Sequence, residues 1–383
     1  MIDDNERYAR LYEHLLDNRI SRRTFFRLLG VAGTAAGLVG GQFGFMAPDA
    51  WAEVKQIRYD GWGGVVQKAE EKAFTKFTAK TGVKVVTGSY GSDEEFLTKV
   101  KASSPGDYNV FKSGEMFRYA DAIGLGWGVE LDTDNIPNLK YVIPKLTSLL
   151  KKLSKNNTLS GVPNDYGCTG IAYNKNKVSV DELKEKGSKI LLDKKYKKKI
   201  SGWDDWNTRV WYAAAATGQD PNDIQDLDAM WNAVRQSRDV VLKYWNSGAE
   251  LMELLANEEV LISDAWSGRV AALQNQGHPI GLYIPDKTQF WTEQLFVLKG
   301  SPMKPCEQLL NFMLDPDVQV EVAKSQFYPP ALDPTKVKLP SSVTKLPAFD
   351  ASGKLDYLFN DTHYWLKHKE TWSSKYQEVK AGY

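Results

Sequence analysis

The feature that most constrains the fold is an alternation of short apolar strands with helices in the first part of the chain. Apolar spacing predicts strands over 55–59, 83–87 and 107–111, with helices over 65–81 and 92–102 between them. Strands that follow one another through a helical connection pair in parallel, with right-handed crossovers. The alternation therefore predicts an α/β protein built on a parallel sheet.

The same alternation predicts where a small molecule would bind. Gly61-Trp62 follows the first predicted strand, and Ser113-Gly114-Glu115 follows the third. In open parallel sheets, ligands bind beyond the carboxyl ends of the strands. We therefore expect these two segments to lie together at the edge of a binding site.

The alternation is interrupted over 159–167, and we interpret the interruption as a crossing into a second lobe. That lobe is predicted to hold helices and strands of its own, over 171–174, 206–217, 227–244, 251–258, 260–264 and 280–284. Residues 291–293 then precede a strand over 294–298 that crosses back, and a helix over 306–314 follows. The sequence has no internal repeat or low-complexity linker, so the two lobes are expected to be interwoven.

The N-terminal segment is typical of an export signal. Arg22-Arg23 precedes a glycine-rich apolar stretch that ends in Ala50-Trp51-Ala52, as in signals for twin-arginine export across a bacterial inner membrane. We therefore expect residues 1–52 to be a signal peptide and the protein to work in the periplasm. A retained membrane anchor is the alternative, but the 28–46 stretch has few large apolar residues, and a span needs about 20.

Composition argues against several classes of function. The chain carries 49 Lys and Arg against 48 Asp and Glu, a balance that does not favour a nucleic-acid partner. Cys168 and Cys306 are too far apart in sequence for a metal-ligand or redox motif, although a disulfide between them stays open. His363 and His368 lack the spacing of a helical zinc site. We therefore expect no metal, no cofactor and no catalytic residues.

Aromatic motifs carry the most specific signal. Twelve tryptophans are present, and several stand beside glycine, aspartate or glutamate, where a stacking surface is a better explanation than a core position. The motifs, in chain order, are Tyr59-Asp60-Gly61-Trp62, Gly161-Val162-Pro163, Tyr166-Gly167-Cys168-Thr169-Gly170, Trp266-Ser267-Gly268, Phe290-Trp291-Thr292-Glu293 and Tyr328-Pro329-Pro330. In this order and spacing they resemble the solute-binding proteins of ABC importers, most closely the spermidine/putrescine-binding branch.

The resemblance implies a fold and a mechanism. The fold is that of type II periplasmic binding proteins, with two lobes, each a mostly parallel sheet flanked by helices, joined by crossover strands. Lobe 1 would comprise 53–166 and 292–336, and lobe 2 would comprise 171–287 and 342–383. The lobes would close on a ligand, and the closed monomer would dock on ABC permease subunits of the inner membrane. No bond in the ligand would be made or broken.

The resemblance also places nine ligand-binding residues in this chain: Trp62, Ser113, Glu115, Asp205, Thr208, Trp266, Trp291, Glu293 and Tyr328. An ammonium group that leaves water needs a carboxylate or an aromatic face in compensation. Trp266, Trp291 and Tyr328 could enclose an alkyl chain or supply cation–π contacts of about 1–2 kcal/mol each. Asp205 and Glu293 could pair with nitrogen.

Departures from the branch leave the expected site less acidic than a polyamine site. Gly63-Gly64 stands where polyamine binders carry an acid, and Thr208 stands where they carry a glutamate, whereas Glu115 replaces a tyrosine and could restore one charge. Arg209 and Arg269 could each bind a carboxylate, although we expect both to be surface salt-bridge partners. The expected ligand is therefore a small cationic or zwitterionic nitrogen compound: a polyamine-like amine, an amino acid, a GABA-like solute or a quaternary ammonium compound.

Two other functions stay open. The closed lobes could dock on a receptor, which would make the protein a ligand-sensing module, and the sequence does not separate sensing from transport. A secreted enzyme has less support, because the sequence has no dinucleotide-binding glycine motif, no metal-ligand cluster and no nucleophile elbow.

Overall fold

The computed structural model describes residues 54–114, 116–154 and 156–382. The signal peptide expected over 1–52 and the candidate residue Glu115 lie outside these ranges. The strands are β1 (Gln56–Gly61), β2 (Lys84–Ser89), β3 (Val110–Ser113), β4 (Gly161–Asn174), β5 (Ile200–Trp203), β6 (Val241–Trp245), β7 (Ile262–Trp266), β8 (Ile280–Tyr283) and β9 (Gln289–Val297). The α-helices are α1 (Gly64–Thr81), α2 (Asp93–Lys101), α3 (Met116–Gly124), α4 (Pro144–Lys152), α5 (Val180–Lys186), α6 (Trp206–Ala216), α7 (Leu227–Val240), α8 (Gly248–Ala256), α9 (Ser267–Asn275), α10 (Met303–Met313), α11 (Pro316–Gln326), α12 (Ser341–Thr344) and α13 (Thr362–Ala381). Within the described ranges, we find no helix with the length and apolar character needed to span a membrane.

The strands form one sheet in which two parallel regions are joined by two long antiparallel strands. The order along the sheet is β2-β1-β3-β9-β4-β7-β5-β6, and β8 pairs with β4 outside this path. β1 pairs in parallel with β2 and β3, and β5 pairs in parallel with β6 and β7. β9 is antiparallel to β3 and β4, and β4 is antiparallel to β7 and β8. The predicted α/β class, with parallel regions joined by crossover strands, is confirmed.

Helix α1 forms as the apolar spacing predicts. Val66, Ala69, Phe74 and Phe77 are buried on one face of the helix. Gly82 ends it in the left-handed conformation (φ 76°), which glycine adopts without steric cost. The end of this helix is therefore encoded locally.

Three local predictions differ from the structure. Residues 161–167 belong to strand β4 and do not interrupt the regular structure. They lack an alternation of apolar and polar residues because this strand is buried in the middle of the sheet. The helix predicted over 227–244 ends at Val240, because the following residues pair with β5 as strand β6. Residues 291–293 lie within β9 rather than before it.

Apolar side chains form separate clusters on the two parallel regions. One cluster combines residues of β1, α1, β3 and α10. A second combines residues of α6, α7 and α13, and a third combines residues of β7, α8 and α9. β4 contributes Val162 and Tyr166 to the first cluster and Ile171 to the second. Each parallel region therefore has an apolar core of its own, and the connecting strand β4 contributes residues to both.

Candidate functional site

A cavity lies where the carboxyl ends of four strands meet. Trp62 follows β1, Gly114 follows β3, Trp203 ends β5 and Trp266 ends β7. This is the position at which open α/β sheets bind ligands. The two strand ends that were expected to meet, at Trp62 and Gly114, both line the cavity. The described residues that line the cavity are Trp62, Val66, Ser92, Gly114, Arg118, Trp203, Asp205, Trp266, Arg269, Trp291, Glu293 and Tyr328.

The structure brings together six of the nine predicted ligand-binding residues. Those that line the cavity are Trp62, Asp205, Trp266, Trp291, Glu293 and Tyr328. Ser113 and Thr208 do not line it, and both are fully buried. The hydroxyl group of Ser113 donates to the carbonyl of Gly114 at 3.3 Å, and that of Thr208 donates to Oε1 of Gln289 at 3.0 Å. These two hydroxyls are therefore used inside the protein.

Several aromatic rings line the cavity. Trp266 packs edge-on against Trp203, with ring centroids 4.9 Å apart, and lies 6.3 Å from Trp62. Trp291 packs edge-on against Tyr328 at 5.1 Å. Rings held by such contacts present faces that can stack on an alkyl chain or contact a cation.

A buried cluster of charges lies at one side of the cavity. The ammonium group of Lys112 is 2.9 Å from Glu70, 2.7 Å from Asp165 and 2.8 Å from Glu293. Glu293 is the member of this cluster that lines the cavity. Three carboxyl groups therefore share one ammonium group, and the cluster has more acidic groups than cations.

Burial and charge shift the pKa values in this cluster. Burial raises the pKa of Glu293 well above its ordinary value, and the charge of Asp165 adds to that effect while Lys112 opposes it. Burial also raises the pKa of Glu70, against the opposing effect of Lys112. Burial acts to lower the pKa of Lys112, but the three carboxylates outweigh burial and raise it well above its ordinary value. Lys112 therefore stays charged, and the raised pKa values of Glu70 and Glu293 favour the protonated form of these two carboxyl groups.

Asp205 lines the cavity but already has partners for both carboxylate oxygens. Oδ1 is 3.3 Å from Nη2 of Arg118, and Oδ2 accepts a hydrogen bond of 2.9 Å from the backbone N–H of Thr208. The second bond caps the N-terminus of α6. Asp205 therefore contributes little uncompensated negative charge to the cavity.

Arg209 and Arg269 are not the surface salt-bridge partners that the sequence suggested. Both are buried, with 4% and 5% of their surface exposed. Arg209 forms an ion pair with Asp264 and does not line the cavity. Arg269 does line it, and its guanidinium lies 5.9 Å from the ring of Trp266 and 6.0 Å from that of Tyr328. Arginine burial depends on tertiary partners, which neighbouring sequence does not reveal.

Sequence reasoning did not select several lining residues. Trp203 could have been found by the same rule as Trp62, since each stands at the carboxyl end of a parallel strand. Arg118 lies in the first turn of α3, the helix that comes shortly after the end of β3 and Gly114. Val66 and Ser92 offer no comparable sequence signal.

The structure also bears on the cysteines and on metal binding. Cys168 and Cys306 are both free thiols, so the open question of a disulfide is answered. In residues 54–114, 116–154 and 156–382, no group of His, Cys, Asp and Glu is arranged to hold a metal ion.

Comparison with known proteins gives a consistent result. The chain matches the family model described as bacterial extracellular solute-binding protein over residues 72–351. It is 26% identical over 315 residues to spermidine/putrescine-binding periplasmic protein 1 of Haemophilus influenzae, with 80% of this chain and 84% of that protein covered. It is 27% identical over 259 residues to the spermidine/putrescine-binding periplasmic protein of Escherichia coli, with 66% and 72% covered. A solved structure, a putative spermidine/putrescine ABC transporter from Listeria monocytogenes, superposes with a TM-score of 0.71 at 19% identity, over 85% of this chain and 99% of that chain. The type II periplasmic-binding-protein fold is confirmed.

Proposed function

Because this chain belongs to the bacterial extracellular solute-binding protein family, we propose that it is the solute-binding component of an ABC importer. It captures a small cationic or zwitterionic nitrogen compound, such as a polyamine-like amine, and delivers it to permease subunits in the inner membrane. Its relatives, described as binding spermidine and putrescine in the periplasm, support this ligand class. The protein carries the ligand and makes or breaks no bond in it.

The charge balance around Glu293 is the observation that carries the proposal. Three carboxyl groups share the ammonium group of Lys112, and Glu293 is the one that lines the cavity. Buried carboxylates without enough positive charge nearby are costly. A ligand ammonium group supplies the missing positive charge, so the cluster favours a cationic nitrogen beside Glu293.

The aromatic wall supports the same ligand class. Trp62, Trp266, Trp291 and Tyr328 remove the alkyl part of an amine from water, and a cation over a ring gains about 1–2 kcal/mol. We assign ligand contact to these four residues and to Glu293. We also assign it to the side of the cavity at Asp205, which forms an ion pair with Arg118. Ser113 and Thr208 receive no ligand contact in this proposal.

We propose that capture involves closure of two lobes. Lobe 1 comprises 53–166 and 292–336, and lobe 2 comprises 171–287 and 342–383. The separate apolar clusters on the two parallel regions support this division, because each region has a core of its own. β4 and β9 connect the regions and are the natural hinge. The closed monomer then docks on the permease.

We also propose that residues 1–52 direct the protein to the periplasm by the twin-arginine pathway. Arg22-Arg23 and the A-x-A site at 50–52 support this route. Replacing both arginines by lysine should leave the protein in the cytoplasm, as measured by cell fractionation. A normally exported variant would contradict the route and leave the ligand proposal untouched.

Isothermal titration calorimetry tests the ligand proposal. Protein purified from the periplasm is freed of copurified ligand and titrated with linear diamines, triamines, monoamines and aminocarboxylates. An uncharged diol of matched length serves as the control ligand. We expect one amine class to bind at a 1:1 ratio with a Kd of about 1 µM or lower, or about −8 kcal/mol. Failure of every amine to bind, or equal binding of the diol, would refute the proposal.

A further inference from the structure

Arg269 is a buried cation in the cavity wall, and no carboxylate among the residues that the structure describes forms an ion pair with it. Only 5% of its surface is exposed. Across the described residues, atom Nη1 of Arg269 finds no hydrogen-bond partner. The two other arginines of this region differ, because Arg118 pairs with Asp205 and Arg209 pairs with Asp264. A buried guanidinium without a carboxylate is costly unless a ligand supplies one.

The surroundings hold this guanidinium in place at the cavity. Gly248 leaves the space that Nε of Arg269 occupies, because a Cβ at that position would overlap it. The ring centroids of Trp266 and Tyr328 lie 5.9 Å and 6.0 Å from the guanidinium carbon. Arg269 also lies in the first turn of α9, where the helix dipole is positive. The helix end and the side chain therefore both favour a negative group at this part of the wall.

The cavity therefore presents two charged groups of opposite sign to its contents. Glu293 belongs to a cluster with more acidic groups than cations, and Arg269 is a cation without an acidic partner in the part of the chain that the structure describes. A ligand with positive charge at both ends would place one ammonium group near Arg269, where like charges repel strongly at low dielectric. A ligand with one ammonium and one carboxylate group matches both.

We propose that the site selects an aminocarboxylate, with its ammonium group at Glu293 and its carboxylate bound by the guanidinium of Arg269. This inference rests on the proposed function and narrows its ligand class from amines in general to zwitterions. A guanidinium binds a carboxylate through two parallel N–H···O bonds, so Arg269 would determine specificity as well as affinity.

Matched ligands test the inference without altering the protein. Unbranched ω-aminocarboxylates with chains of about two to six carbons are titrated beside the diamine and the monoamine of equal chain length. At the chain length that binds best, we expect the aminocarboxylate to bind at least about 30-fold more tightly than the diamine. The monoamine should be weak as well, because it leaves Arg269 unpaired.

The Arg269→Gln variant tests the assignment to this residue. We expect its Kd for the best aminocarboxylate to rise at least about 30-fold, while its Kd for the diamine stays within about threefold or falls. Arg235→Gln is the matched control, since Arg235 makes a hydrogen bond with Asn232 at the surface of α7 and does not line the cavity. Thermal unfolding confirms that each variant is folded, and if Arg269→Gln does not fold, the ligand ranking of the unaltered protein decides alone.

The outcomes separate this inference from the proposed function. If diamines bind as tightly as aminocarboxylates, or if folded Arg269→Gln keeps its affinity for the aminocarboxylate, the zwitterion assignment is overturned and the amine importer stands. If no amine of any class binds, both fail.

Discussion

Replacing Glu293 by glutamine should separate ligand binding from folding. The substitution keeps the shape of the side chain and removes one of three carboxyl groups around Lys112. Loss of one partner usually costs about 3–5 kcal/mol when it leaves a buried charge unpaired. Lys112 instead keeps ion pairs of 2.9 Å to Glu70 and 2.7 Å to Asp165. We therefore expect Glu293→Gln to change the free energy of unfolding by about 1 kcal/mol or less.

Ligand affinity should respond far more strongly to the same substitution. Asp205, the other carboxylate among the described residues of the cavity wall, is already paired with Arg118, so we assign the ligand ammonium group to Glu293. Truncating one partner of a buried charge pair at a binding site costs about 2–5 kcal/mol, or about 30-fold to 4,000-fold in Kd. We expect the Kd for the best amine to rise within that range.

Glu70→Gln is the matched control for this prediction. Glu70 pairs with Lys112 in the same buried cluster but does not line the cavity. Urea unfolding reports the stability of both variants, and calorimetry reports their affinity for one common amine. If the affinity of Glu293→Gln stayed within about threefold of that of the unaltered protein, or if both variants lost affinity equally, Glu293 would not be the partner of the ligand ammonium group.

Three further predictions concern pH, packing and thiol reactivity. The ligand-free protein should lose stability as pH rises above 4.5, the ordinary pKa of a glutamate, because the raised pKa of Glu293 contributes stability that is complete below the ordinary pKa and is lost as pH passes through the raised one. Urea unfolding should show a smaller loss in Glu293→Gln, and an unchanged loss would contradict the pKa shift. Gly268→Ala would place a Cβ against the ring of Tyr328, so calorimetry should show a loss in amine affinity of about tenfold or more, and an unaltered Kd would mean that this ring does not shape the site. Burial raises the pKa of both Cys168 and Cys306 to about 12, so a thiol reagent should label neither in the native protein and both after unfolding, whereas rapid native labelling would place the thiols at the surface.

The sequence predicts those elements whose apolar spacing and end signals lie within the element itself. Helix α1 follows from apolar spacing and from Gly82, which ends it within the segment itself. The aromatic side of the cavity was predictable too, since Trp62 and Trp266 stand at the ends of strands whose order implies a common edge. Strand β6 was not predictable, because the apolar spacing of α7 continues into the residues of β6. Only the pairing of these residues with β5 makes them a strand.

The charges of the site depend on residues that are distant in sequence. Glu70, Lys112, Asp165 and Glu293 come from four separate elements, so neither their contact nor the excess of acidic groups can be read from neighbouring residues. The same reason explains the incorrect expectation for Arg269, because a buried arginine and a surface arginine look alike until the fold brings their surroundings together.

A crystal structure of the complex with the tightest-binding amine would show whether Glu293 binds the ligand nitrogen. The quantity to measure is the distance from the ligand nitrogen to the carboxylate of Glu293. We predict a separation of about 2.7–3.0 Å, inside the cavity between Trp62 and Trp266. A ligand bound elsewhere on the protein, or bound in this cavity with its nitrogen more than about 5 Å from Glu293, would contradict the account.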